Sequence, residues 1–189
     1  VFAFSVSAAD AELRIGSFNI RKLGCKPSNY PKDLSKIRKI INKEGLLLIA
    51  LQEVCDPNGV ENLISKLDGK WKYIYTEKIG RDIHKERYAF IWKASENIRV
   101  FRYYKWDDPD EVFEREPFIA VFGYNDKKYT LINYHAPFIS NISQDKQKRK
   151  NEISQLAMVY NGVFKKNHIR IILGDFNLKC PDIDLVGLP

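Results

Sequence analysis

A chain of 189 residues suggests one domain with a single sizeable core. With 44% hydrophobic and 13% aromatic residues it is not a disordered segment, and no run of about 18 apolar residues offers a membrane-spanning helix. The formal net charge of +7 favours a polyanionic partner through long-range attraction.

The chain opens VFAFSVSAADAEL. An apolar stretch running into Ser7-Ala8-Ala9 reads as the remains of a secretory leader over residues 1–9, cleaved near Ala9. An apolar N-terminal strand is the alternative. LRIGSFNI (13–20) reads as a strand. DLSKIRKIINKEG (33–45) puts Leu34, Ile37 and Ile41 on one helical face, with Pro31 before it and Gly45 ending it. LLLIALQEV (46–54) is almost wholly apolar and suits a strand buried on both faces. GVENLISKLDG (59–69) spaces Val60, Leu63, Ile64 and Leu67 as one helical stripe. Five strands are expected next, at 72–77, 86–93, 98–104, 118–124 and 128–135, with a hairpin turn at Tyr124-Asn125-Asp126-Lys127. A long helix follows over 142–165, with Ile153, Leu156, Ala157, Tyr160 and Val163 inward and QDKQKRK as a solvated charged face. RIILGDFN (170–177) is the last strand. So many consecutive strands fit a layered α/β (α+β) domain with two sheets, not one doubly wound sheet.

Cys25, Cys55 and Cys180 fit no zinc spacing. Cys25 and Cys55 both follow core strands and are a possible bridge. Asn141-Ile142-Ser143 forms a glycosylation sequon, a short pattern that also arises by chance.

Several strands share one pattern, an apolar run and then a polar group at the exit. They give Asn19, Gln52-Glu53, His135, and Asp175 with Asn177. Glu86 stands at the start of its strand and meets the same end if that strand is antiparallel. Arg115 precedes the strand at 118. Strand ends in α/β proteins are where sites are built. Glu53 and Asp175 supply hard oxygen ligands for Mg²⁺ or Ca²⁺, and Asn19 and Asn177 add neutral oxygens. Arg115 suits a phosphate oxygen, and His135 suits proton transfer with Glu86 as its orienting carboxylate. Metal, arginine and histidine together suit phosphodiester hydrolysis. Each residue also has a plainer role: strand-end turns for the asparagines, a helix cap for Glu53, surface pairing with Glu114 or Glu116 for Arg115. Their coincidence favours a site.

The stretches LRIGSFNIRKLG, LIALQEV, IGRDIHKERYAFIWK, RYYKWDDPDEVFEREP, YTLINYHAP and IILGDFN, in that order, resemble the endonuclease/exonuclease/phosphatase superfamily. KERYAF and FEREP resemble its secreted deoxyribonuclease I branch most. The resemblance implies a four-layer αββα sandwich over residues 10–189, and Mg²⁺-dependent nicking of double-stranded DNA to 5′-phosphate ends. Ca²⁺ would support the fold or the reaction. It implies a secreted monomer with no stable membrane insertion. Glu53, Asn19 and Asp175 would serve the metal, and Glu86 and His135 the proton transfer. Arg21, Arg115 and Asn177 would hold phosphate or DNA.

Two positions depart from the family pattern. Cys55 stands where an arginine often reaches the minor groove, and His84 where a tyrosine stacks. Cys180 matches a family cysteine whose partner lies further along. Family members also continue to a further Asp and a Ser-Asp-His motif that these residues lack. The chain therefore reads as C-terminally truncated, with impaired activity and an exposed sheet edge expected. A non-catalytic DNA- or protein-binding relative, and a phosphodiesterase acting on phospholipid or inositol phosphate, are the alternatives.

Overall fold

The computed structural model describes residues 2–6, 12–25, 32–81, 83, 85–138 and 143–178. Cys180, His84 and Asn141 lie outside them. The element order is β1 (Phe2–Val6), β2 (Leu13–Leu23), α1 (Leu34–Lys43), β3 (Leu48–Val54), α2 (Pro57–Ile64), β4 (Trp71–Tyr75), β5 (Arg87–Lys93), β6 (Arg99–Lys105), β7 (Phe118–Tyr124), β8 (Lys127–His135), α3 (Ser143–Ser154), α4 (Leu156–Gly162) and β9 (His168–Asp175).

The strands form a five-stranded sheet, β1-β2-β3-β5-β4, and a four-stranded sheet, β6-β7-β8-β9. Period-two alternation sends each strand's apolar residues to two different cores. Leu13, Ile15, Leu48, Ala50, Tyr88, Phe90, Phe118, Phe122, Leu131 and Leu173 meet between the sheets. Ile49, Leu51, Ala89 and Ile91 face outward onto α1 and α2, through Ile37, Ile41, Val60 and Leu63. Ile119, Ile132 and Tyr134 face α3 and α4, through Ile153, Leu156 and Val159. The result is the expected helix–sheet–sheet–helix sandwich.

Local chemistry fixes the ends. Asp33 caps α1, accepting from the amides of Ser35 and Lys36. The Ser35 contact and then the Lys36 amide hold its carboxyl down at about 2. Asp56 caps α2 and Pro57 takes its first turn, so this helix starts earlier and ends earlier than its apolar stripe implies. Asn125 and Asp126 both have positive φ, which makes the expected hairpin turn match the strand twist. The long helix expected over 142–165 is two helices. At the break, the Gln155 amide is shared between the carbonyls of Asn151 (3.3 Å) and Glu152 (3.2 Å). The backbone of Phe2–Val6 runs antiparallel to β2, from Phe2 opposite Ser17 to Val6 opposite Leu13. This is the strand geometry offered above as the alternative to a leader remnant.

Candidate active site

β2 and β3 are parallel, β8 and β9 are parallel, and β5 runs antiparallel to β3. The exits of the two parallel pairs and the start of β5 therefore meet at one end of the sandwich. Alternation places the side chains. Asn19 continues the inter-sheet row of Leu13 and Ile15, and His135 continues that of Leu131. Asp175 continues Ile171 and Leu173, and Glu86 continues back from Tyr88 and Phe90. Glu53 breaks the rule. Strict alternation would set it among Ile49 and Leu51 on the helix side. The β3–β5 register shifts between Leu51 and Val54, and Glu53 takes φ +58°, which turns its carboxylate into the site. Arg21, Lys22 and Asn177 also adopt left-handed backbone here. Such conformations cost roughly 1–3 kcal/mol each and persist where surrounding contacts hold them.

The two acids converge. The Asn19 amide nitrogen donates to Glu53 Oε1 at 2.9 Å and to Asp175 Oδ2 at 3.0 Å. Its oxygen accepts from the Arg21 amide at 2.9 Å. The orientation of this carboxamide follows from the hydrogen-bond network, and a flip would offer its oxygen beside the two carboxylates. Among the described residues no group of three His, Cys, Asp or Glu side chains is close enough to form an all-protein metal cage. Two carboxylates meeting at one point suit Mg²⁺, which keeps several waters and takes one or two protein carboxylates. Lys32 lies nearby; burial and then Arg21 lower its pKa, while Glu53 opposes them.

A second group lies alongside. His135 Nδ1 is 2.9 Å from Glu86 Oε1, and Glu86 Oε2 is 3.5 Å from Arg115 Nε. All three residues are buried. With Nδ1–H donating to the carboxylate, Nε2 is the acceptor, and the Asn177 amide sits 3.2 Å from it. That amide also donates to the Ala136 carbonyl at 2.7 Å. The Glu53 amide donates to Glu86 Oε1 at 3.3 Å, which joins the two groups. The Tyr88 hydroxyl accepts from the His135 amide at 2.9 Å, and burial raises the phenol well above its usual pKa. Arg115 therefore faces the site. Of its expected surface partners, Glu116 pairs with Lys105 at 2.9 Å and Glu114 accepts from the Arg81 amide.

Asn133, Arg149 and Glu152 escaped sequence reasoning, and Gln52, read there as a strand-exit group, proves to be a buried bridge. Gln52 Nε2 donates to Asn133 Oδ1 at 2.8 Å across the two sheets and contacts Ser17 Oγ at 3.2 Å. Asn133 in turn donates to the carbonyls of Leu51 and Ala89. This buried bridge sets the sheet spacing just below the site. An unusual amide inside the apolar run LINYH was the available signal. Arg149 corrects the reading of QDKQKRK as a wholly solvated face. It is buried and donates to the Asn177 carbonyl, so α3 braces the loop that touches His135.

Glu152, also on α3, is 2% exposed and accepts from the Glu114 amide at 2.8 Å. Burial pushes its carboxyl up to about 7, against the opposing pull of that amide and of Tyr134. The unfolded chain releases this proton near 4.5, so stability falls as pH rises from there through about 7. The full penalty is roughly 3 kcal/mol. Glu152→Gln, which mimics the protonated acid, should raise Tm above wild type at pH about 8 and leave it unchanged at about 5. A difference that does not widen with pH would contradict a buried neutral carboxyl.

Solved structures share this arrangement of two sheets packed face to face. D. rerio TDP2 complexed with a single-strand DNA product matches with a TM-score of 0.68, covering 95% of this chain and 66% of that one at 20% identity. A Bacteroides thetaiotaomicron protein of the endonuclease/exonuclease/phosphatase family matches with a TM-score of 0.65, covering 88% and 62% at 15% identity. By sequence the chain is similar to proteins named deoxyribonucleases. It is 32% identical to Deoxyribonuclease-1-like 2 of Mus musculus over 191 residues, which is 95% of this chain and 64% of that protein. It is 30% identical to Deoxyribonuclease-1 of Gallus gallus over 185 residues, covering 90% and 62%. A Deoxyribonuclease of Thioalkalivibrio is 30% identical over 182 residues, covering 91% and 48%. The chain thus spans about half to two thirds of the length of these relatives. No family model matches it.

Proposed function

We propose that the chain carries the catalytic face of a divalent-metal-dependent endonuclease that hydrolyses phosphodiester bonds of double-stranded DNA to 5′-phosphate ends. The observation that carries this reading is the convergence, at one sheet end, of the Glu53–Asp175 acid pair with the His135–Glu86–Arg115 group. Deoxyribonuclease homologues support the substrate class.

The residues divide the work. Glu53 and Asp175 would hold Mg²⁺, with Asn19 contributing once its oxygen faces the acids. The ion would neutralise charge that develops on the phosphoryl oxygens. Glu86 fixes the His135 tautomer, leaving Nε2 to take a proton from the attacking water or return one to the leaving oxygen. Arg115 binds a phosphate oxygen and stabilises it as charge builds. Asn177 holds the imidazole edge. Arg21 and Lys32 place positive charge beside Glu53, where the sugar–phosphate backbone would run. A groove of about 440 Å³ carries Lys78 and Lys85 on its walls, together with Lys105 paired to Glu116. The Cys25–Cys55 disulfide suits an oxidising, extracellular setting, in keeping with a secreted enzyme. Ca²⁺ is proposed as a supporting ion and the monomer as the working form.

Supercoiled plasmid nicking tests this directly. Open circles should form with Mg²⁺ and not with chelator. Cleavage that ignores chelator would remove the metal from the proposal. Hydrolysis of sphingomyelin or inositol phosphates with plasmid left intact would replace DNA as the substrate.

A further inference from the structure

We infer that Arg81 is the positioning residue that delivers Arg115 to the site. The inference rests on the phosphodiesterase reading above and deepens it. Arg115 arrives on a segment with no regular structure, between the end of β6 at Lys105 and the start of β7 at Phe118. A loop of this length has many conformations unless something holds it. Here it is wrapped around one guanidinium.

Arg81 lies on the connection between β4 and β5, five positions before Glu86. Its Nε donates to the Phe113 carbonyl at 2.9 Å, and its Nη2 to Asp108 Oδ2 at 2.9 Å. Its Nη1 is 3.1 Å from Glu111 Oε1. Its backbone amide donates to Glu114, to Oε1 at 3.0 Å and to the carbonyl at 3.2 Å. Asp108 completes the clamp from the other side. Its carboxylate accepts from the amides of Val112 (3.0 Å) and Phe113 (2.9 Å). That side chain is 2% exposed, so Arg81 supplies the charge that makes its burial tolerable. Phe113 is fully buried against Tyr134, anchoring the last turn before Arg115.

The planar fork explains the residue type. Three groups on one segment are held at fixed angles by one rigid side chain, which an ammonium would not reproduce. Arg81 touches neither His135 nor the acid pair. Its effect on the reaction passes through Arg115, and Glu86 ties both to the same edge: it precedes β5 by one residue and pairs with Ile79, two residues before Arg81.

A double-mutant cycle separates positioning from simple support of the fold. Arg81→Gln should lower kcat/KM for plasmid nicking by about 100-fold, the scale of a misplaced catalytic group. In an Arg115→Ala background the same change should cost little further activity, while lowering Tm as much as it does alone. Equal activity losses in both backgrounds would show that Arg81 does not act through Arg115 and would overturn the inference. Hydrogen exchange gives a readout that needs no turnover. Arg81→Gln should speed exchange of the Val112 and Phe113 amides by tenfold or more (on the order of 1.4 kcal/mol), leaving β5 protected. Unchanged exchange at these amides would also overturn the inference. If wild-type protein fails to nick DNA, the proposed function falls, and protected amides freed by Arg81→Gln would still establish the clamp.

Discussion

His135→Ala is expected to lower plasmid nicking by about 100- to 10,000-fold with little change in fold. Glu86 accepts a hydrogen bond from His135 Nδ1, which leaves Nε2 as the imidazole's acceptor beside Asn177. Alanine removes both the acceptor and the group that Glu86 orients. The His135 backbone amide keeps its bond to Tyr88, so β8 should remain paired. Glu86→Gln should cost less, because a carboxamide still accepts from Nδ1–H but no longer stabilises an imidazolium. Losses in the two variants should not add when combined, because the residues act as one unit. A folded His135→Ala protein that nicks at the wild-type rate would assign the proton transfer elsewhere.

Gly174→Ala should be the most damaging small substitution in the sandwich. A Cβ at this position would stand 1.8 Å from the Tyr134 carbonyl oxygen and 2.8 Å from its carbon. The obstacle is backbone, which cannot rotate away as a side chain can. Tyr134 and Gly174 are partners in the parallel β8–β9 pair, and the next pair along is His135 with Asp175. The added methyl group must therefore push apart the strands that carry the histidine and one acid. The expected cost is about 3 kcal/mol or more, with loss of Mg²⁺-dependent nicking even where the protein still folds. A calorimetric Tm equal to wild type would show that the two backbones do not approach this closely in solution.

Much of the layering is legible in the sequence, because the strands read as apolar runs and α1 and α2 each carry one apolar stripe. The exit pattern also reads well. Asn19, Glu53, His135 and Asp175 gather because chain direction, set by the parallel and antiparallel pairings, takes every polar exit to the same end. What is not legible is cross-chain pairing. Gln52 and Asn133 are 81 positions apart and find each other only when the sheets stack. Arg149 lies in a run of charges with no local sign that its carbonyl acceptor is Asn177. Arg81 looks like a loop arginine until the segment around Phe113 folds over it. The turn of Glu53 into the site depends on a bulge, and no residue type in LIALQEV announces one. The pause at Gln155 that divides the long helix is equally silent, since glutamine is an ordinary helix former.

The site's acids are bridged by Asn19, which holds Asp175 from 156 positions away. During synthesis the N-terminal half of the cluster leaves the ribosome first. β2 and β3 can pair and α1 and α2 can cover them while β9 is still unmade. At that stage Glu53 has no acid beside it and His135 has no Asn177 at its edge. The cluster is complete only when β9 docks against β8 and brings Asp175 beside Asn19, so its assembly reports closure of the second sheet.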